Sequence, residues 1–298
     1  MSFLDTIQSF LKDPPPEFAF EISATSIAMS RTRPPAVAQR MPLPEGVVVP
    51  SPVKENIADP AAFQDIVRKL LPHPSGHPAC ALILPDNAMR LSVLEFDTLP
   101  EKEDERAALI RFRLKKTVPF DVETSSVAWF VQPGNRVVVA LAPAGTIAQY
   151  EAPFRAAKLR PGVVMPAALA MLELLPPNGS FLVAHLHSYA LTVLAVSNGV
   201  LTLARSLELT SHADAAVDFL DEVVAGLYAT RIYVEDQGDI KPDRLYLAGF
   251  GADTSRTEIR LTAELDMPVE VVQQADPGLA GYLSSLYPRP TKRTAAAA

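Results

Sequence analysis

The stretch from Ala81 to Val131 constrains the fold most, because it packs two strand patterns around one helix. Ala81–Leu84 is a short apolar run closed by Pro85-Asp86-Asn87, a turn signal. Leu91, Val93 and Glu95 then alternate with Ser92, Leu94 and Phe96, the period of a strand. Four acidic residues surround Lys102 between Glu101 and Glu105. Negative charge in a first helical turn meets unpaired amides there and gains about 0.3–1 kcal/mol per charge at low salt. Arg111, Arg113, Lys115 and Lys116 load the opposite end, again with the dipole. Ala107, Ile110 and Leu114 share one helical face. Pro119 ends the helix and pushes Val118 toward extended backbone. Val127–Val131 begins another strand.

The chain has 298 residues, of which 48% are apolar, enough for one large core or two joined ones. Its net charge of −7 gives no footing for a nucleic-acid partner. The single cysteine, Cys80, sits in an apolar run, which excludes a disulfide framework and reads as a core residue of a reducing cytosol. The sequence contains neither an apolar run of membrane-spanning length nor a secretory signal. Thirteen glycines against 28 prolines sit awkwardly with nucleotide binding, which uses glycine where backbone meets phosphate.

The remaining elements follow in order. Phe3, Leu4, Ile7, Phe10 and Leu11 mark an amphipathic helix over 1–12, stopped by Pro14-Pro15-Pro16. It docks on its own domain, on a partner or on a membrane surface. Phe18–Ile22 and Ser26–Ser30 form a hairpin, and Arg31–Pro52 is irregular or thin β. Asp59 caps a helix to Leu71, with Pro60 at its first position and Phe63, Ile66, Val67 and Leu70 on one face. Val137–Leu141 is a strand, Gly145–Lys158 a helix and Met165–Leu174 an apolar helix. Phe181–His185, Ala190–Val196 and Val200–Leu207 are strands, the last two joined by Asn198-Gly199, a hairpin turn that tolerates positive φ. Ala213–Arg231 is a long helix, Leu245–Leu247 a strand, Thr257–Leu265 a helix and Val269–Val272 a strand. The basic and poly-alanine tail is expected to be disordered.

Several pieces, taken together, resemble the PilM family of type IV pilus machines. They are L-P-E-G-V-V at Leu43–Val48 with E-N-I-A-D-P-A-A-F at Glu55–Phe63, and the Ala81–Val131 block. They continue with V-V-V-A-L-A-P at Val137–Pro143 and L-R-P-G-V-V at Leu159–Val164. The series closes with L-Y-L-A-G-F-G-A at Leu245–Ala252 and L-D-M-P-V-E-V-V at Leu265–Val272. The resemblance implies an α/β, actin-like (ribonuclease H-like) two-domain fold with a small inserted α+β subdomain, similar to FtsA and actin. It implies an N-terminal helix at 1–16, a first domain at 17–179 with its insert at about 80–158, a second domain at 180–286 and a tail at 287–298. It implies a cytoplasmic protein on the inner membrane that binds the cytoplasmic tail of a PilN-like membrane protein, associates with the membrane through partners and leaves self-association open.

The resemblance also locates a nucleotide cleft, and the chain departs from it. The first phosphate loop of that group reads roughly D-x-G-(S/T)-x-S; here it reads Glu21-Ile22-Ser23-Ala24-Thr25-Ser26. Ser23 adds a side chain where glycine admits phosphate, and Glu21 is one methylene longer than aspartate. The second loop, D-x-G after a strand, becomes His185-Leu186-His187. The adenosine-side turn survives as Gly249-Phe250-Gly251. The candidate cofactor residues are therefore Glu21, Ser23, Thr25, His187, Gly249 and Gly251, around either no cofactor or weakly bound ATP. No catalytic residue is expected, because hydrolysis needs metal and positioned water together.

Metal is not expected either. His185 and His187 share one strand face, but two imidazoles are not a site and no Cys or third His lies nearby in sequence. They are expected to be ordinary hydrogen-bonded histidines. His73 and His77 read as loop residues, and Asp221, Glu222 and Asp236 as solvated surface. No G-x-S-x-G turn offers a hydrolase serine. The expected function is a cytoplasmic adaptor of a type IV pilus platform with no ATP hydrolysis. Its peptide site is expected in the insert, near Leu82–Leu94 and Val127–Val138. The alternatives are a working actin-like ATPase and a GspL-like type II secretion adaptor. GspL continues into a membrane span, where this chain has a proline-rich, alanine-rich end.

Overall fold

The computed structural model describes residues 14–71, 76–188, 190–209, 219–238 and 240–287. The expected helix over 1–12, His73, the start of the helix expected from Ala213 and the tail from Pro288 lie outside these described residues.

β1 (Phe18–Ile22), β2 (Ser26–Arg31) and β3 (Gln39–Pro42) form an antiparallel meander whose first two strands are the expected hairpin. α1 (Pro60–Leu70) follows, its Asp59 carboxylate accepting from the Ala62 amide at 3.0 Å. Such a cap is worth about 1 kcal/mol. Phe63, Ile66, Val67 and Leu70 are its buried face. β4 (Ala79–Leu84) then pairs parallel to β1, with Cys80 fully buried as a core residue.

The chain next leaves this sheet. β5 (Arg90–Glu95), α2 (Glu103–Leu114), β6 (Ser125–Gln132) and β7 (Arg136–Pro143) build a three-stranded sheet in the order β5-β7-β6. Ile110 and Leu114 of α2 are buried against Val137, Val139 and Leu141 of β7. Glu103, Asp104 and Glu105 occupy the first turn of α2, where its dipole favours them. α3 (Ala144–Ala156) returns to the first sheet. Its Phe154 meets Phe20 of β1 at 4.9 Å and Phe63 of α1 at 6.1 Å between ring centroids, both edge-on. β8 (Arg160–Pro166) completes the first sheet, whose order is β3-β2-β1-β4-β8. Pro161 is tolerated because β8 is an edge. The small sheet thus occupies Arg90 to Pro143, while β4 and α3, which flank it within the expected 80–158, belong to the first sheet.

The second half repeats the plan. α4 (Ala167–Met171) leads into β9 (Ser180–His187), β10 (Ala190–Ser197) and β11 (Val200–Glu208), an antiparallel meander. Asn198 and Gly199 make the turn with φ of 50° and 77°, as the sequence predicts. α5 (Phe219–Gly238), β12 (Arg244–Ala248), α6 (Thr254–Leu265) and β13 (Val269–Val271) follow, in the sheet order β11-β10-β9-β12-β13. The last helix, α7 (Pro277–Ser285), packs on α4 and β1 of the first half.

Four expectations are corrected. Met165 and Pro166 belong to β8, because Met165 pairs with Ile83 and Pro166 with Leu84; the helix begins only at Ala167. β9 runs through His187, so His185-Leu186-His187 is strand and not a loop. α5 runs on to Gly238, past the Arg231 end expected, and includes Asp236. α7 was not expected, because Gly278 and Gly281 weaken its pattern. Both glycines are required by packing: a Cβ at Gly278 would stand 2.8 Å from Ile83 Cγ2, and one at Gly281 2.1 Å from the Ala170 carbonyl oxygen.

Candidate functional site

Three elements converge between the two large sheets. β1 contributes Glu21, β9 contributes His185 and His187, and a short 3₁₀ turn after β4 contributes Asp86. All four side chains are buried. Asp86 Oδ1 accepts from the Ala168 amide at 2.8 Å, at the start of α4. His185 Nδ1 donates to Asp86 Oδ2 at 2.7 Å. Glu21 Oε2 accepts from the Leu279 amide of α7 at 2.6 Å, and Glu21 Oε1 lies 3.9 Å from His187 Nε2.

The electrostatics sort these groups. Burial pushes the Asp86 carboxyl up, but the charge and hydrogen bond of His185, with the Ala168 amide, hold it below the ordinary carboxylate range. Burial pushes His185 down, and Asp86 reverses this and holds it above the usual imidazole value. Each group thus favours the charged form of the other. Glu21 has no such partner: burial, against the Leu279 amide, raises it to about 7. Burial and then the His185 charge depress His187 to about 4, so it is a neutral base.

The two imidazoles stack with centroids 5.2 Å apart and planes 29° from parallel, as strand period two predicts. They are not both the ordinary histidines expected. His185 bonds Asp86 through Nδ1, but His187 Nδ1 is buried with no hydrogen-bond partner among the described residues. Burying such an atom costs about 1–3 kcal/mol. The fold adds Asp86, 99 positions from His185, which lies with both histidines so that one potential donor atom from each falls within 4.8 Å of the others. Nitrogen and oxygen donors in this mixture suit first-row ions such as zinc.

Above this cluster the Ser23–Ser26 turn uses its own amides. Ser23 N–H donates to the Ser26 carbonyl at 2.9 Å. The Thr25 and Ser26 amides donate to Ser23 Oγ at 3.2 and 3.0 Å. The Ala24 amide crosses to the second half and donates to Ser188 Oγ at 3.1 Å. Ser188 reaches it from a left-handed backbone, φ 61°, just past β9.

A separate groove opens between the small sheet and the first sheet. Its volume is about 440 Å³. Ala128, Trp129 and Phe130 of β6 line one side, and Val163, Val164 and Met165 of β8 the other. Both strands are sheet edges. Of the strands expected to carry a peptide site, the Val127–Val138 part borders this groove, whereas Leu82 lies buried between β1 and β8 in the first sheet.

No protein-family model matches the chain, and no curated protein matches it in sequence. Solved structures do match. A chain of the PilM-PilN type IV pilus biogenesis complex is 20% identical, with 92% of this chain and 98% of that one covered at a TM-score of 0.73. A Bacteroides thetaiotaomicron protein with an actin-like ATPase fold is 14% identical, with 95% and 98% covered at a TM-score of 0.58. The fold is actin-like. The cytoplasmic domain of EpsL, an inner-membrane component of the Vibrio cholerae type II secretion system, is 10% identical, with 90% and 93% covered at a TM-score of 0.52. The resemblance read from the sequence motifs holds at the level of this fold.

Within an actin-like fold the predicted cofactor residues divide. Glu21 and His187 are brought together. Ser23 Oγ and Thr25 Oγ1 lie 3.3 Å apart in the same turn. Gly249 sits against β9 with φ 84°, and a Cβ there would stand 2.0 Å from the Leu186 carbonyl oxygen. Gly251 has φ 53° and open space where a Cβ would stand. Asp86 was missed as a site residue. Its signal was the Pro85-Asp86-Asn87 turn directly after a buried strand, where a loop residue points into a cleft.

Proposed function

We propose that this chain is a cytoplasmic adaptor of actin-like fold that holds an extended peptide of a membrane partner, in a type IV pilus platform. The observation that carries the reading is the apolar groove between β6 and β8. Two facing strand edges offer unpaired backbone groups, and the groove between them offers room for alternate side chains, which is how an added strand gains both affinity and specificity. The PilM-PilN complex, a pilus biogenesis assembly, supports the pilus setting and a PilN-like peptide as the occupant. The EpsL cytoplasmic domain keeps a type II secretion platform as the second reading.

The chain divides in this reading into actin-like halves at 17–179 and 180–286, with the insert carrying one wall of the groove. Among the described residues no helix is long and apolar enough to cross a membrane. Attachment to the inner membrane runs through the partner in this reading. The nucleotide cleft is a remnant that does not hydrolyse ATP. A triphosphate needs free amides, and those of Ser23, Ala24, Thr25 and Ser26 are already bonded within the protein. Glu21 and His187 stand where that cofactor's metal would be held, and the residues present do not fit the group.

The test is a pull-down with synthetic N-terminal peptides of the membrane proteins encoded beside this gene. Capture of a pilus peptide, and its loss with Ala128→Glu in the groove, is the expected result. Capture of none overturns the adaptor reading, and capture of a secretion-system peptide favours the second setting.

A further inference from the structure

The cluster that replaces the phosphate site has donors of its own. We propose that Asp86, His185 and His187 bind a first-row divalent transition ion, with zinc as the reference case, and that the ion joins the two halves of the fold. The proposal is independent of the peptide groove.

Three observations support it. The donor atoms lie within 4.8 Å of one another, close enough for one ion to reach all three. They come from both halves: Asp86 follows β4 in the first, and both histidines stand on β9 in the second. The Asp86–His185 hydrogen bond accounts for only two of the three residues. His187 Nδ1 remains buried and without a partner among the described residues, on a side chain that is 9% exposed. A neutral imidazole nitrogen in that position is a ligand, not a structural filler.

The donor set decides the class of ion. Magnesium and calcium take oxygen ligands, and magnesium keeps several waters. Two imidazoles and one carboxylate suit zinc, iron, cobalt or nickel. Glu21 Oε1 lies 3.9 Å from Nε2, the other ring nitrogen of His187, and Ala168 N–H orients Asp86 from behind. Hydrogen bonds of this kind fix a ligand's direction.

The experiment uses the full chain, tag-free, stripped with chelator and titrated with zinc chloride by calorimetry. Bound metal is then counted by elemental mass spectrometry after dialysis. One zinc per chain is expected, with Kd at or below about 1 µM. His187→Gln should weaken binding at least about tenfold, and His77→Ala, an exposed histidine, should leave it unchanged. Cobalt on the wild-type chain provides a readout that needs no variant, since a tetrahedral site gives strong visible absorption. Failure of the wild type to retain zinc, equal binding by soluble His187→Gln, or a cobalt spectrum of the hydrated ion would each overturn the site.

Discussion

The carboxylate of Asp86 accepts a hydrogen bond from His185 Nδ1 at 2.7 Å across the seam between the two large sheets. The contact is fully buried and links the first half of the chain to the second. A buried pair is worth little against an apolar replacement, but removing one partner strands the other charge and costs about 3–5 kcal/mol. Asp86→Ala should therefore lose about that much in urea unfolding. Asp86→Ala with His185→Leu should lose less than the two single variants summed. Additive losses would show that the pair is not coupled.

Glu21 and His187 set opposing pH slopes in metal-free protein. Glu21 is raised from 4.5 to about 7 in the fold, so its contribution is full below about 4.5 and is lost as pH rises through about 7. His187 is lowered from 6.5 to about 4, so its contribution is full above about 6.5 and is lost as pH falls through about 4. Each shift corresponds to about 3 kcal/mol, and between pH 4.5 and 6.5 they nearly cancel. With chelator present, Glu21→Gln should become more stable as pH rises over that window, by up to about 3 kcal/mol, while the wild type stays nearly flat. Urea midpoints at pH 4.5 and 6.5 measure it, and parallel behaviour of the two proteins would refute it.

The two glycines of the Gly249-Phe250-Gly251 turn should differ. Both have positive φ, but only Gly249 is pressed against β9. Gly251→Ala should cost about 1–2 kcal/mol for the left-handed backbone alone. Gly249→Ala meets the Leu186 carbonyl as well and should cost clearly more. Thermal unfolding of both variants decides it, and equal losses would contradict the packing.

ATP should not stabilise the protein. The amides of the Ser23–Ser26 turn are engaged by Ser23, Ser26 and Ser188. At 1 mM magnesium ATP, a Kd weaker than about 1 mM raises stability by less than about 0.4 kcal/mol. A thermal shift of several degrees, or hydrolysis above the buffer blank, would restore the ATPase reading.

Much of the scaffold was legible in the sequence. The Asn198-Gly199 turn located the β10–β11 hairpin and Asp59-Pro60 marked the start of α1, because turn and cap chemistry are local. The strand and helix periods of the Ala81–Val131 block located its elements, and the family resemblance implied that they form an insert. What failed was non-local. Asp276-Pro277 repeats the Asp59-Pro60 opening, yet α7 was hidden by glycines that exist to let it touch Ala170. His185 and His187 showed their shared face in sequence, but only the sheet order β1-β4 brings Asp86 to them. The substitution of Ser23 for glycine was visible, whereas its capture of two neighbouring amides was not.

The central claim is that this chain works by holding a peptide in the β6–β8 groove and not by turning over nucleotide. The most direct measurement is a fluorescence-anisotropy titration of the pulled-down peptide against the full chain, with and without magnesium ATP. The account predicts one affinity under both conditions and at least about a tenfold loss with Ala128→Glu, whose exposed site lines the groove. Binding that requires ATP, or that survives Ala128→Glu unchanged, would contradict it.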